Sequence, residues 1–259
     1  MAAPTNRISL VSDVRPDGRP RRSSGRAGPE HVRHGFALWL GLIAVVAGLV
    51  LGAMAVPRLL AAVAVVQAQP IVERYLAGEK GLYPSDVEHA AQRLEFALSL
   101  APDADSALLL ADLRLVQSRR TTEEKIIAER AQQSIEAAKI AVRGAPAHPA
   151  AWAALAEAIE MLTPGTAAVV PPLSRALQVA PYDPRRRDVR IALALRHWPS
   201  LSPQAQQAAG PQIVAMARAD INALARLTKQ NLGLGAVRSV LAADAALAQR
   251  FDAVYVALP

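Results

Sequence analysis

Apolar and polar positions divide this chain into one long uncharged stretch followed by shorter periodic segments. The stretch runs from Gly35 to Val56 and holds 22 residues without a charged side chain. A helix of that length covers about 33 Å, which matches a hydrocarbon core about 30 Å thick. Because a helix satisfies its own backbone groups in lipid, residues 35–56 are predicted to form a transmembrane helix.

The distribution of arginine predicts the orientation of that helix. Residues 1–34 carry seven Arg against three acidic residues, whereas the nearest basic residues after the span are Arg58 and Arg74. This excess places the N-terminus in the cytoplasm and the rest of the chain in the periplasm of a bacterial cell, with a single pass through the inner membrane. A cleavable signal peptide is the alternative, because Ala53-Met54-Ala55 has the small-x-small form. The length of the stretch favours a retained anchor.

Small residues recur at every fourth position within the predicted span, at Ala44, Gly48 and Gly52. Such a stripe lets two helices approach closely, so it predicts a homodimer that pairs through Gly48 and Gly52. An ordinary helix that faces lipid on all sides is the alternative interpretation.

Charge and composition limit the classes of partner expected for the segments on either side of the predicted span. The segment 1–34 is rich in Arg, Pro, Gly and Ser, and we expect it to be disordered. It holds +4 of the net charge of +7, which leaves +3 for the 203 residues after the span, with 22 basic and 19 acidic side chains. This near balance argues against nucleic acid as a partner.

After the anchor, apolar residues recur at intervals of three and four, which is typical of amphipathic helices. No segment shows sustained alternation, so we predict an all-α fold with about eight helices in the exported part. Ser85 with Glu88, and Thr121 with Glu124, have the spacing of a capping box. Ser202-Pro203 and Asp183-Pro184 each place a capping side chain before a proline at the first helical position. In the first helix the predicted buried stripe is Val87, Ala90, Ala91, Leu94, Ala97 and Leu98.

Three segments, 97–102, 141–146 and 176–181, each begin with Ala and end in Ala-Pro. Each closes an apolar-periodic stretch, and a few turn residues then lead into another helix. Because proline terminates a helix, this repetition predicts antiparallel helical hairpins that follow one another along the chain.

The unit from Pro149 to Pro181 resembles the tetratricopeptide repeat, although the match is degenerate. The residues that occupy the family's packing positions are Trp152, Leu155, Ala156, Ile159, Leu173, Ala176 and Pro181. The resemblance covers residues 85–200 and implies hairpins stacked as a short solenoid. Pro171-Pro172 predicts that the second helix of this unit begins late. An irregular α-helical bundle is the alternative fold.

Two further segments complete the predicted domain organisation. Residues 57–84 are expected to be a connecting helix or linker, and residues 201–259 to cap the array. In the cap, the apolar positions of 213–227 predict one amphipathic helix. Gly233 is expected to end it in a left-handed conformation, and the chain then continues into a last hairpin.

Residues suited to catalysis or cofactor binding are sparse. Cysteine is absent, and the five histidines stand apart from any metal-binding motif. Glu157 and Glu160 lie on one helix face, where acid pairs are usually solvated. We therefore predict a protein that is not an enzyme and that binds no cofactor or metal.

The strongest charge cluster after the anchor is Arg185, Arg186, Arg187 and Arg190. It is a candidate site for a carboxylate-bearing partner, because guanidinium groups bind carboxylates bidentately. A solvated helix start, balanced by Asp183 and Asp188, is the alternative.

His197-Trp198-Pro199-Ser200-Leu201-Ser202-Pro203 loosely resembles a linker in repeat proteins of bacterial surface-polysaccharide pathways. Together with the anchor, this resemblance predicts a periplasmic scaffold or adaptor that binds a protein partner during assembly of the cell envelope. The alternative is an accessory or binding subunit for an anionic polymer or peptide.

Overall fold

The computed structural model of this protein describes residues 30–79, 81–179 and 186–258, and their regular structure is entirely helical. The all-α prediction is therefore confirmed. Ten α-helices rather than eight follow the first helix within these ranges. The helices are α1 (Glu30–Leu76), α2 (Pro84–Leu100), α3 (Ala104–Arg119), α4 (Glu124–Gly144), α5 (Pro149–Leu162), α6 (Val170–Val179), α7 (Arg187–Arg196), α8 (Pro203–Ala219), α9 (Ile221–Gln230), α10 (Leu234–Leu241) and α11 (Ala245–Ala257).

Four sequence predictions fall outside the described ranges. They concern residues 1–29 of the head predicted to be disordered over residues 1–34, the terminal Pro181 of the repeat unit, the cap at Asp183-Pro184, and Arg185 of the arginine cluster. Residues 30–34 of that head belong to α1.

The chain divides into two compact units, Met1–Leu51 and Gly52–Pro259. In the first, the described residues from Glu30 onward belong to α1, and apolar side chains such as Leu42 and Leu49 are exposed. α1 is also the one helix of the described chain that is long and apolar enough to cross a membrane, over Gly41–Leu76. Gly48 and Gly52 have no atom within 4 Å of an added Cβ, and pairing through them stays a prediction.

The second unit begins with the remainder of α1, so residues 57–76 continue the helix without a break. Ala61, Ala64, Ala68 and Val72 recur at three- and four-residue intervals and are buried. Ala68 and Val72 join the core formed by α2 to α5, whereas Ala61 and Ala64 pack with Ala97 of α2. The last third of α1 is therefore part of the folded domain.

Apolar stripes of the following helices form the rest of the core. All six positions predicted for α2 are buried, from Val87 to Leu98, which confirms that prediction. One cluster contains residues from every helix between α1 and α5. A second contains residues from α5 through α8, and a third from α7 through α11. Burial of this kind contributes about 25 cal/mol for each Å² of apolar surface removed from water.

The proposed repeat-packing residues lie in α5 and α6, which contact each other. Leu155, Ala156, Leu173 and Ala176 are buried, whereas Trp152 and Ile159 are partly buried. The Trp152 indole Nε1 donates to the Pro146 carbonyl at 2.8 Å, which ties α5 to the preceding turn.

α6 begins at Val170, after a 3₁₀ turn over Ala167–Val169. The late start predicted from Pro171 and Pro172 is therefore confirmed.

Only one of the predicted caps in the described residues forms. The Ser202 hydroxyl accepts from the Ala205 amide at 3.2 Å at the start of α8, as predicted. The prediction for Ser85 is wrong, because α2 begins one residue earlier, at Pro84, with its cap position at Tyr83. The prediction for Thr121 is also wrong, since the hydroxyl accepts from the Glu123 amide in a tight turn before α4.

The prediction of a single helix over residues 213–227 is wrong, because Asp220 separates α8 from α9. Its backbone is extended, with φ −152° and ψ 90°, and its carboxylate accepts from the Ala223 amide at 2.9 Å. Asp220 thus caps α9 and ends α8. The spacing of apolar residues is that of one continuous helix, but the Asp220 carboxylate caps a new helix and ends the first one.

The left-handed conformation predicted for Gly233 is also wrong. Leu232 takes it instead, with φ 55°, whereas Gly233 has φ −91°. Glycine is required at 233 for space, because a Cβ there would lie 2.7 Å from the Cβ of Leu195.

Gly233→Ala should therefore lower the free energy of unfolding by about 1–3 kcal/mol, because the added Cβ pushes Leu195 and α7 away from residue 233. Gly235→Ala is the matched control, since nothing lies within 4 Å of its added Cβ. The control should leave stability unchanged or raise it by up to about 1 kcal/mol. Urea unfolding of the full chain in detergent, followed by circular dichroism, measures both. Equal stability of the two variants would contradict the close contact.

Candidate functional site

α5 carries two acidic side chains, Glu157 and Glu160, that are only 9% and 6% exposed. Their three-residue spacing places them on the same side of the helix. The expectation of a solvated acid pair is wrong, because basic side chains from α3, from α7 and from the residue before α7 cover the two carboxylates.

Glu157 belongs to a charged cluster between α3 and α5. It forms an ion pair with Arg119 at the end of α3, and its Oε2 accepts from Arg186 Nη1 at 3.2 Å. Arg186 also lies with Nη2 2.7 Å from Oδ1 of Asp112 on α3. Burial raises the pKa of the Asp112 carboxyl, although Arg186 and Arg119 act against it. Arg186 therefore links α3 and α5 immediately before α7.

Glu160 forms the adjoining cluster. Its Oε1 accepts from Arg196 Nη1 at 2.8 Å, and its Oε2 lies 2.9 Å from His197 Nε2. Oε2 also accepts from the Gly165 amide at 3.2 Å, and Arg196 Nη2 donates to Asn231 Oδ1 at 3.0 Å. Burial alone would raise the pKa of Glu160, but the Arg196 and His197 contacts outweigh it and the net pKa is lowered. The carboxylate stays ionised at neutral pH.

A cavity of about 310 Å³ opens beside these two carboxylates. Met161, Val189 and Leu193 contribute apolar walls, and Arg196 lines it as well. The hydrogen-bonding capacity of Glu157 and Glu160 is taken up by their internal partners. Their contacts with Arg119, Arg186 and Arg196 join α5 to α3, to α7 and to the residue before α7.

The arginine cluster predicted from the sequence is only partly at the surface. Arg190 is fully buried, and its Nε donates to Gln212 Oε1 on α8 at 3.0 Å. Arg186 holds Asp112 and Glu157, as described above, and Arg187 is partly buried. Because internal groups engage Arg186 and Arg190, the structure does not bring the cluster together as one surface patch. A role for these arginines in binding a partner stays a prediction.

The sequence analysis missed a second buried cation, Arg114 of α3, which is 1% exposed. Arg114 Nη1 donates to Glu88 at 2.8 Å and to Gln117 at 3.0 Å, and Nη2 donates to Glu95 at 2.6 Å. Glu88 also pairs with Arg130 at 3.3 Å. The one available signal was a single basic residue between Leu113 and Leu115 in an apolar helix.

An open groove of about 420 Å³ lies between α2 and α4, with α3 at its base. The groove was not predictable from the sequence, because its two walls are about 40 residues apart in the chain. The apolar lining residues are Leu98, Leu110, Ala137 and Ile140, and the polar ones are Glu95, Ser99, Gln132, Gln133 and Glu136. Two carboxylates and no cation line this groove among the residues that the structure describes.

Within the described ranges, no group of three or more His, Asp or Glu side chains is placed to hold a metal ion. No known family profile matches this chain, and neither a curated protein nor a solved structure shows significant similarity to it.

Proposed function

We propose that this protein is a membrane-anchored, non-catalytic scaffold of the bacterial cell envelope. The cytoplasmic head and the span would hold its helical domain at the periplasmic side of the inner membrane. Helices within residues 85–200 would stack there as a short tetratricopeptide-like array and bind a protein partner in the assembly of envelope material such as surface polysaccharide. The continuity of α1, from an exposed apolar helix into the core of the domain, is the observation that carries this proposal.

The groove between α2 and α4, defined above by its lining residues, is the proposed partner site. Its base is apolar, and Glu95 and Glu136 at its rim are 45% and 58% exposed at the side chain. The apolar base fits the apolar face of an amphipathic helix, because helices bind grooves through such faces. The rim carboxylates already have cations of this chain, Arg114 for Glu95 and Lys139 for Glu136. Confinement to the membrane raises the effective concentration of a partner that is itself anchored there.

The charged clusters support a binding role over an enzymatic one. Glu157, Glu160 and Asp112 all face arginines within the domain. They join α5 to α7 and to α3, the helix at the base of the groove.

Site-directed photo-crosslinking in intact cells tests the partner site. A benzophenone residue in place of Gln132, inside the groove, should give one adduct of discrete mass. The same residue in place of Gln249 on α11 is the control position and should give none. Adding Ile140→Glu, which places a charge on the α4 wall of the groove, should reduce the Gln132 adduct at least tenfold. An adduct that survives Ile140→Glu would contradict the groove as the binding site.

The topology is tested separately with a phosphatase fused after Pro259, since that enzyme is active only outside the cytoplasm. Activity is expected from intact cells. A fusion that is inactive and remains inside the cell would contradict the proposed orientation.

A further inference from the structure

The folded domain begins very close to the end of the predicted span. Along α1, residues 52–56 are exposed, and Ala61 is the first buried residue after Val56. Ala61 lies five positions after Val56 in the helix, a rise of about 7.5 Å. The headgroup layer on each side of a bilayer is about 5–7.5 Å thick. With Val56 at the edge of the hydrocarbon, whatever covers Ala61 lies at the depth of the lipid headgroups.

The end of α2 covers this part of α1. Ala97 packs against Ala61 and Ala64, and Leu100 and Ala101 adjoin the same cluster. No loop intervenes between Val56 and Ala61, because both belong to α1. Residues 52–56 therefore run into the folded domain without a linker.

Exposed apolar side chains surround this contact. On α1, Leu59 and Val66 are 65% and 68% exposed, and Leu60 and Val63 are about half exposed. On α2, Phe96 is 52% exposed and precedes the buried Ala97. These five residues, here called the apolar collar, continue the exposed apolar surface of residues 52–56. That continuity indicates lipid as the occupant of the collar.

A cavity of about 320 Å³ lies beside the collar, between α1, the end of α2 and the start of α3. Ala62, Val66 and Ala101 give it apolar walls, and Arg58 is the one cation among its described lining residues. Asp103 also lines it, but its carboxylate accepts from the amide and hydroxyl of Ser106 at 2.8 and 2.7 Å. This capping bond holds the acid at the N-terminus of α3, and Arg58 remains exposed.

We propose that the apolar collar rests in the leaflet from which α1 emerges, and that this cavity binds an anionic phospholipid. The lipid phosphate would pair with Arg58, and an acyl chain would lie along Ala62 and Val66. The proposal rests on the membrane anchoring proposed above and adds a lipid site to it. A second copy of the chain is a poorer occupant, because a parallel symmetric pair would bring the two Arg58 side chains towards each other.

The absence of cysteine allows single-site labelling of the full chain without removing any native residue. Val63→Cys, Phe96→Cys and Val256→Cys each carry one bimane, and each protein is placed in nanodiscs of phosphatidylcholine with 30% phosphatidylglycerol. Val256 is 78% exposed on α11 and serves as the solvent control. A nitroxide on the lipid headgroup should quench the labels at 63 and 96 several-fold more strongly than the label at 256.

The possible results separate the lipid contact from the anchoring. Quenching at 63 without quenching at 96 would overturn the docking of the domain and leave the anchor intact. No quenching at either position would overturn both. Efficient disulfide crosslinking of Val63→Cys between two copies, with the label at 96 unquenched, would assign the collar to a second copy and overturn the lipid proposal.

The role of Arg58 has its own readout. With the label at Ala62→Cys, quenching by nitroxide-labelled phosphatidylglycerol should exceed quenching by the matched phosphatidylcholine. Arg58→Gln should reduce this preference about fivefold, the expected effect of one basic residue near an anionic surface. Arg74→Gln is the control, since Arg74 lies four turns further along α1 and pairs with Glu79. An unchanged preference in Arg58→Gln would overturn the phosphate site.

Discussion

Arg114→Ala is expected to lower the free energy of unfolding by about 3 kcal/mol, because it removes a buried cation that holds three neighbours. The Arg114 side chain is 2% exposed, and its guanidinium bonds Glu88, Glu95 and Gln117 across α2 and α3. The variant leaves Glu88 and Glu95 facing each other without the central charge, and it leaves a cavity where the side chain lay. Urea unfolding of the full chain in detergent gives the measurement.

Arg74→Ala is the matched control for this variant. Arg74 also forms a bidentate pair, with Glu79, but both side chains are about half exposed. Exposed ion pairs contribute little to stability, so the control should remain close to the unsubstituted protein. If the two arginine variants lost equal stability, burial would not be the source of the Arg114 effect.

Glu160→Gln should lower the free energy of unfolding by about 2 kcal/mol at neutral pH. The amide cannot pair with Arg196 and His197 as an ionised carboxylate does, and His197 is 6% exposed. Glu136→Gln is the control, because Glu136 is exposed and pairs with Lys139 on the surface. A loss no larger than that of the control would contradict the buried cluster.

The same variant has an expected pH dependence. The folded-state pKa of Glu160 is lowered from an ordinary value of 4.5. The unfolded chain therefore binds this proton first, so the stabilisation is complete above about pH 4.5 and is lost as the pH falls through the folded pKa. Between pH 6 and pH 3, stability should decline less steeply in Glu160→Gln than in the unsubstituted protein. The lowered pKa values of Glu88 and Asp103 leave part of the decline in place.

Features that depend on local sequence were predictable. The stripe from Val87 to Leu98 and the cap at Ser202 follow from spacing within one helix, and both are confirmed. The break at Asp220 was missed because the helical spacing of apolar residues continues across it. Only the capping bond of the Asp220 carboxylate marks the start of a second helix. Ser85 was assigned as a cap because it has the chemistry, but Pro84 already fits the first helical position and moves the start.

The candidate site could not be predicted in the same way. Glu157 meets Arg119 and Arg186, and Glu160 meets Arg196 and His197, across loops of different lengths. Nothing in the spacing of these residues sets those contacts, since they arise only when α3, α5 and α7 pack. Glu157 and Glu160 were therefore interpreted as solvated, because two acidic residues on one helix face usually are. The groove between α2 and α4 was missed for the same reason.

The unbroken course of α1 past Val56 has a geometric consequence. A helix turns by 100° and advances by about 1.5 Å with each residue, so under the span proposed above the five positions from Val56 to Ala61 set the direction in which Ala61 faces and its height above Val56. A single insertion there would swing every later surface through more than a quarter of a circle. Partners anchored in the same leaflet would then meet a different side of the protein, although no contact within the domain had changed.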